Sequence, residues 1–253
     1  MNIMIDQISI DLSNYCSKGC PFCYNSSNKI GQTQWLPNEV IDFAKSCIAA
    51  GTKAISLGGG EPLEYDGIFD VIAALYPLTY LTLTTNGLPL QEKEVVRQLI
   101  VSKPDKIHIS LHNADSEHEV LRIKEQVSLL NNISIKPGVN LLVRANNIEH
   151  CKKAYSAMRE ILSNEQIILI PQRFGETPTA QQLASVASGE PYQSPSCLLK
   201  CTKPKQFASV SWDKLVNWCS YAGGKQPLST LDYDGLAAAL EQVDFIPCGS
   251  LCE

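Results

Sequence analysis

The chain of 253 residues is 44% hydrophobic and 19% charged, and its 21 Lys and Arg against 26 Asp and Glu leave a formal net charge of −5. That composition excludes a disordered chain, and the acidic balance argues against a protein that grips a nucleic-acid backbone. No apolar run approaches bilayer length and residues 1–7 carry no signal-peptide pattern, so a soluble, cytoplasmic protein with no membrane partner is expected.

From residue 8 to about 170, short β-branched runs alternate with longer helical patterns. Strands are predicted at 8–12, 54–57, 80–84, 106–111, 135–143 and 167–170, and helices at 37–50, 66–75, 91–101, 116–130 and 148–162. Pro37 in the first turn and Gly51 past the end delimit the first helix. Ile148, Cys151, Tyr155, Met158 and Leu162 recur at spacings of three and four and form the apolar stripe of the last. Six strand–helix alternations predict parallel βαβ units, hence an α/β sheet or barrel.

The strands distinguish between those two. Ile8, Ile10 and Leu12 alternate with Ser9, Asp11 and Ser13, and Leu81 and Leu83 with Thr82 and Thr84. Ile107, Ile109 and Leu111 alternate with His108, Ser110 and His112, and Val139, Leu141 and Val143 with Asn140 and Arg144. In a filled barrel both faces of each strand would be apolar. Here the apolar rows can pack on helices, which leaves the polar rows inward, where they cost free energy unless water or a ligand satisfies them. An open or partial barrel around a polar cavity is therefore expected, with half-exposed strands as the alternative.

Residues 172–195 are polar and punctuated by Gly175, Pro178, Gly189, Pro191 and Pro195, and five of the ten cysteines follow from Cys197 onward. Residues 173–253 thus read as a small region apart from 1–172, with too little apolar sequence for its own core and a metal site as the expected staple. Within it, 207–211 and 214–218 predict a hairpin around Trp212-Asp213, and 235–243 a helix.

Ten cysteines without an export signal indicate metal ligation or redox chemistry rather than disulfides. Cys16-Ser-Lys-Gly-Cys20-Pro-Phe-Cys23 follows the first strand directly. Three thiolates in one loop suit a [4Fe–4S] cluster whose fourth iron stays open; zinc completed by a distant residue is the alternative. Cys47 and Cys151 lie on apolar helix faces and are expected in the core, while His118 and His150 are expected at the surface.

The Cys-x3-Cys-x2-Cys loop with Phe22 before its third thiol, followed by Gly58-Gly59-Gly60-Glu61-Pro62 at the end of the second strand, resembles the radical S-adenosylmethionine (radical SAM) superfamily. The resemblance covers residues 5–172 and implies an α/β fold, a partial (β/α)6 TIM-like barrel, with Cys16, Cys20 and Cys23 as cluster ligands and S-adenosylmethionine on the open iron. It also implies that Gly58, Gly59, Gly60 and Glu61 hold the methionyl end and that Phe22 packs near the adenine. Ser110, His112, Asn140 and Arg144, at the ends of strands four and five, would contact ribose and carboxylate. His108, His112 and Cys197 are candidates for catalysis.

The pattern Cys201-x12-Lys214-x4-Cys219, closed by Cys248-x3-Cys252, resembles the twitch form of the SPASM auxiliary-cluster extension. It departs twice: Lys214 stands where that pattern has glycine, and the last spacing is commonly x2. The resemblance implies an auxiliary [4Fe–4S] cluster on Cys201, Cys219, Cys248 and Cys252 that passes electrons. Cys197 is then spare, a substitute for Cys201, or a hydrogen donor; a four-thiolate zinc is the alternative.

The activity so implied is that of an oxidoreductase. A 5′-deoxyadenosyl radical takes hydrogen from a small polar substrate, for example in dehydrogenating an alcohol of a sugar or aminocyclitol, with electrons from a donor such as flavodoxin or ferredoxin. The second reading is a peptide-modifying maturase, against which stand the seven residues before the first strand, too few for a leader-recognition domain. A non-catalytic iron–sulfur sensor is the third, and it would need neither the glycine motif nor the cavity.

Overall fold

The apolar rows of the strands are buried to the last residue. Ile8 and Ile10 on β1 (Gln7–Asp11), Ile55 and Leu57 on β2 (Ala54–Gly58), and Leu81 and Leu83 on β3 (Tyr80–Thr85) have no exposed surface. The same holds for Ile107, Ile109 and Leu111 on β4 (Lys106–Leu111) and for Val139, Leu141 and Val143 on β5 (Lys136–Val143). The computed structural model describes residues 3–188 and 196–251. Cys252, expected as a cluster ligand, lies outside the described residues.

These rows pack against one face of each helix. That face carries Val40, Phe43, Ala44 and Cys47 on α1 (Pro37–Ala49), Val71, Ile72 and Leu75 on α2 (Ile68–Leu75) and Leu99 on α3 (Lys93–Ser102). It continues with Ile123, Val127 and Leu130 on α4 (Glu117–Asn132) and Cys151, Ala154 and Met158 on α5 (Ile148–Arg159). Each large aliphatic side chain so buried contributes about 1.5–3 kcal/mol against the entropy of ordering the chain. Cys47 and Cys151 are core residues, as their helix faces require, and His118 and His150 are exposed.

One sheet runs in the order β6-β5-β4-β3-β2-β1-β7-β8-β9, where β6 is Ile167–Pro171, β7 Phe207–Val210, β8 Leu215–Asn217 and β9 Gln226–Pro227. The first six strands pair in parallel with their sequence neighbours, and β1 and β6 do not meet, so the barrel stays open. Two helices start later than expected: Gly67, with φ 81, turns the chain before Ile68, and Pro89–Gln91 forms a 3-10 turn before Lys93.

The C-terminal region shares this core. β7 pairs in parallel with β1, and β8 returns antiparallel as the predicted hairpin. Ala208, Val210 and Val216, with Leu236 and Leu240 on a helix at Tyr233–Gln242, join the one apolar cluster. Two short helices precede it, α6 (Ala180–Val186) and α7 (Ser196–Leu199), so the C-terminal helix is α8. The hairpin accounts for the first departure from the auxiliary-cluster pattern. Lys214 has φ 60, the left-handed region that favours glycine, and its N–H closes the turn on the Ser211 carbonyl at 2.9 Å. An ion pair to Glu39 (2.9 Å) and the face of Trp35 (5.1 Å) hold the lysine there.

Candidate active site

The cysteine loop is docked by backbone. Gly60 N–H donates to the Ser13 carbonyl (2.6 Å) and Glu61 N–H to the Tyr15 carbonyl (2.8 Å), which pins the end of β2 to the chain entering the loop. A Cβ on Gly60 would stand 1.8 Å from the Tyr15 oxygen, and one on Gly59, at φ +112, 2.6 Å from the Ser13 oxygen. No side chain fits at either position. These two glycines therefore serve the contact between loop and strand, whereas Gly58 has ordinary space beside Asp11.

Glu61 supports the loop from behind. Its carboxylate, 1% exposed, accepts from Thr85 Oγ1 (2.7 Å), Leu63 N–H (3.1 Å) and Asn86 N–H (2.7 Å). Burial pushes its carboxyl up to about 7, against the pull of these three donors. Asn86 in turn places its Nδ2 3.5 Å from Cys16 Sγ. The side chain of Glu61 is thus spent on the scaffold, and what it offers the cofactor-binding motif is backbone.

Cys16, Cys20 and Cys23 open on a cavity of about 260 Å³ lined by the inward polar row, with Ser9, Asp11, Ser56, Thr84, Ser110 and Asn140 among its walls. Phe22, Gly58, Gly59, Gly60 and His112 line it too, so seven of the nine residues expected at the cofactor face it; Glu61 and Arg144 do not. Arg144 instead lies 4.4 Å over the Phe22 ring and donates to the His112 carbonyl at 3.1 Å, which fixes the aromatic beside the cluster loop. His108 stays off the cavity, with Nδ1 3.0 Å from Asn140 Oδ1; burial and the Lys106 charge lower it to about 4, so it is neutral.

Behind Cys20 is an ionic network that the sequence does not announce. Lys18 pairs with Glu119 (3.1 Å) and places Nζ 3.0 Å from His112 Nδ1, which lies 4.0 Å from Cys20 Sγ. Lysine can only donate, so Nδ1 accepts and the imidazole proton sits on Nε2. Burial, with the Lys18 charge, lowers His112 to about 4 and keeps the ring neutral. Burial also opposes ionisation of Glu119, but the His112 N–H, Lys18 and Asn113 outweigh it and hold the carboxyl below its ordinary value.

On another wall, Tyr24, next to Cys23, packs on Tyr221 with ring centroids 4.7 Å apart and donates to Asp11 Oδ1 at 3.3 Å. Asp11 ends β1 at 6% exposure, and burial pushes its carboxyl up to about 6 against the pull of Lys225 and Tyr24. A folded pKa above the ordinary 3.8 adds stability below pH 4 that is lost as pH rises through 6. Above pH 7 the ionised Asp11 therefore costs on the order of 2–3 kcal/mol. Asp11→Asn should make the chain more stable than wild type in urea at pH 8, and the gap should close at pH 4; equal stability at both would contradict this.

The remaining described thiols gather beside that wall. Cys201 and Cys248 line a second, open depression with the exposed Cys197, whose Sγ accepts from Arg173 Nη2 at 3.0 Å. Burial pushes the Cys201 and Cys219 thiols up, and the charge of Cys248 acts the same way on both. Arg173 lines both this depression and the main cavity, and Ser220 and Tyr221, next after Cys219, line the cavity. Among the described residues no three His, Cys, Asp or Glu side chains are gathered closely enough for one metal ion. Three thiols opening on one cavity suit the soft irons of a larger cluster.

The sequence model of the radical SAM superfamily matches residues 10–161, more than half of the chain. The chain belongs to the radical SAM superfamily. That family implies a [4Fe–4S] cluster and S-adenosylmethionine, and the thiol trio and the glycine-docked loop fit them. A GTP 3′,8-cyclase of Helicobacter pylori (strain HPAG1) is 30% identical over 151 residues, 55% of this chain and 46% of that protein, so the match spans less than half of the relative. A GTP 3′,8-cyclase of Clostridium perfringens (strain SM101 / Type A) is 24% identical over 226 residues, 81% of this radical SAM chain and 69% of the relative. In fold it is similar to Streptococcus suis SuiB bound to S-adenosylmethionine, with a TM-score of 0.67, 18% identity and coverage of 99% of this chain and 68% of SuiB. Among its described residues, no helix is long and apolar enough to cross a membrane.

Proposed function

We propose that this radical SAM protein is an oxidoreductase that dehydrogenates a hydroxyl-bearing polar molecule, such as a sugar or aminocyclitol. Cys16, Cys20 and Cys23 would hold a [4Fe–4S] cluster that with S-adenosylmethionine would supply a 5′-deoxyadenosyl radical for hydrogen abstraction, and Cys201, Cys219, Cys248 and Cys252 would hold an auxiliary [4Fe–4S] cluster able to accept one electron. Flavodoxin or ferredoxin serves as the electron donor. Residues 1–172 form the catalytic barrel and 173–253 the auxiliary region. Phe22, the three glycines, Ser110, His112 and Asn140 hold the cofactor.

The supporting observation is that the Cys16, Cys20 and Cys23 cavity is also walled by Ser220 and Tyr221, next after Cys219, and by Arg173, which lines the depression of Cys201 and Cys248 as well. A sensor has no use for such a space. The names of the relatives suggest guanosine triphosphate, but the cations lining the cavity are Arg173 and Lys18, and Lys18 is already paired with Glu119. A triphosphate would need more positive charge than that. A peptide is the second reading, because SuiB with its precursor peptide SuiA shares the fold at a TM-score of 0.62.

The test is anaerobic reconstitution, with an expected load of about eight irons. C-deuterated sugars, aminated cyclic polyols and peptides are then offered with dithionite and S-adenosylmethionine. Deuterium should enter 5′-deoxyadenosine from a polyol, and label from peptides alone would favour the second reading. Cys219→Ala should keep cofactor cleavage within about threefold yet abolish product and about half the iron; equal loss of cleavage and product would reduce the region to a structural part.

A further inference from the structure

Among the residues that line the main cavity, Asp11 is the single carboxylate. It stands on the inward polar row at the end of β1, five positions before Cys16, where the cost of burying a charge must be offset. No Lys, Arg or His reaches it within ion-pair distance among the described residues, and its hydrogen bond comes from Tyr24 to Oδ1. Among the described residues no donor reaches Oδ2, and it is not one of the buried unpaired atoms, which leaves it toward the cavity that Asp11 lines. Tyr24 in turn is braced by Tyr221, so one oxygen is anchored and the other presented.

The other candidates for a base are already engaged. His112 has Nδ1 taken by Lys18, burial pushes the phenol of Tyr221 far above neutrality, and Lys18 is paired with Glu119. We propose that Asp11 is the proton acceptor of the dehydrogenation: the substrate hydroxyl next to the reacting C–H bond donates its hydrogen bond, and then its proton, to Asp11 Oδ2. This rests on the alcohol-oxidation reading above.

The step balances. Loss of a hydrogen atom from carbon to the 5′-deoxyadenosyl radical makes 5′-deoxyadenosine and leaves one unpaired electron on the carbon. The O–H bond then breaks, its proton passes to Asp11, the carbon gives up its remaining electron to the auxiliary cluster, and C=O forms. Burial favours an acid that can hold and later release this proton near neutrality, and Lys225, Asp213, Tyr24 and Tyr221 are the titratable groups that act on it or face it.

Two experiments test the proposal. In the reconstituted holoenzyme with the deuterated polyol that labels 5′-deoxyadenosine, Asp11→Asn should keep label transfer within about threefold while carbonyl product falls about 100-fold. A carbon-centred radical absent from wild type should build up in freeze-quenched EPR samples, and Asp11→Glu should regain part of the product. Unchanged product in Asp11→Asn, or parallel loss of label and product in a folded variant, would overturn it. The second is independent of substrate: carbodiimide with ethanolamine at pH 6, read by mass spectrometry, should modify Asp11 in the intact chain and spare Glu61. An unmodified Asp11 would sink the proposal alone; label drawn from no polyol by wild type, with Asp11 modified, would sink the alcohol reading and the proposal with it.

Discussion

Replacing Cys20 by Ala should leave a folded chain that binds about four irons in place of eight and makes no measurable 5′-deoxyadenosine. The loss should exceed the roughly 10–100-fold that follows removal of a group behind a metal ligand, because the ligand itself is gone. Stability should change little, since Cys20 is part-exposed and its thiol meets His112 at 4.0 Å rather than the core. Lys18→Ala offers a graded comparison. It removes the donor to His112 Nδ1 and the partner of Glu119 while leaving all three thiols, so cleavage should slow without disappearing. Iron content by chemical assay and 5′-deoxyadenosine by chromatography check both variants; normal cleavage in Cys20→Ala would remove this thiol from the ligand set.

Gly60→Ala should strongly destabilise the chain at the cysteine loop. Its Cβ would be 1.8 Å from a backbone oxygen, so neither partner can yield by rotating a side chain. The contact between the end of β2 and the cysteine loop must open, with loss of the bonds from Gly60 and Glu61 to Ser13 and Tyr15. Overpacking and the lost hydrogen bonds together should cost about 3 kcal/mol or more. Gly58→Ala is the control: its Cβ would meet Asp11 Oδ1 at 3.6 Å, an ordinary contact, so the chain should unfold within about 1 kcal/mol of wild type. Because Gly58 lines the cavity, that variant should instead weaken S-adenosylmethionine binding. Urea unfolding separates the two effects, and equal stability of the two variants would refute the docking role of Gly60.

The parts of the fold that follow from period were legible. An apolar residue at every second position in four strands, within six strand–helix alternations, points to parallel strands under helices, and the same alternation puts Ser9, Ser110 and Asn140 into the cavity. Asp11 was visible as the charged member of an inward row, though nothing local indicated its partner Tyr24 or the stacking on Tyr221. Pairings across long separations were not legible: Lys18 and Glu119 are 101 positions apart, and β7 inserts beside β1 from 200 residues away. Arg144 looked suited to a carboxylate by its chemistry, but side-chain direction sends it over Phe22. Helix α6 hid within a polar, Gly- and Pro-marked stretch, although Thr179 and Gln182 form a capping box that could have marked its start.

The most direct measurement is EPR of the dithionite-reduced, anaerobically reconstituted chain with and without S-adenosylmethionine, made on the Cys219→Ala variant so that the N-terminal trio carries the signal. Adding the cofactor should change the spectrum of a four-iron cluster, because it occupies a vacant iron, and 5′-deoxyadenosine should follow. An iron-free protein with zinc on Cys16, Cys20 and Cys23, or a cluster spectrum indifferent to the cofactor, would contradict the account.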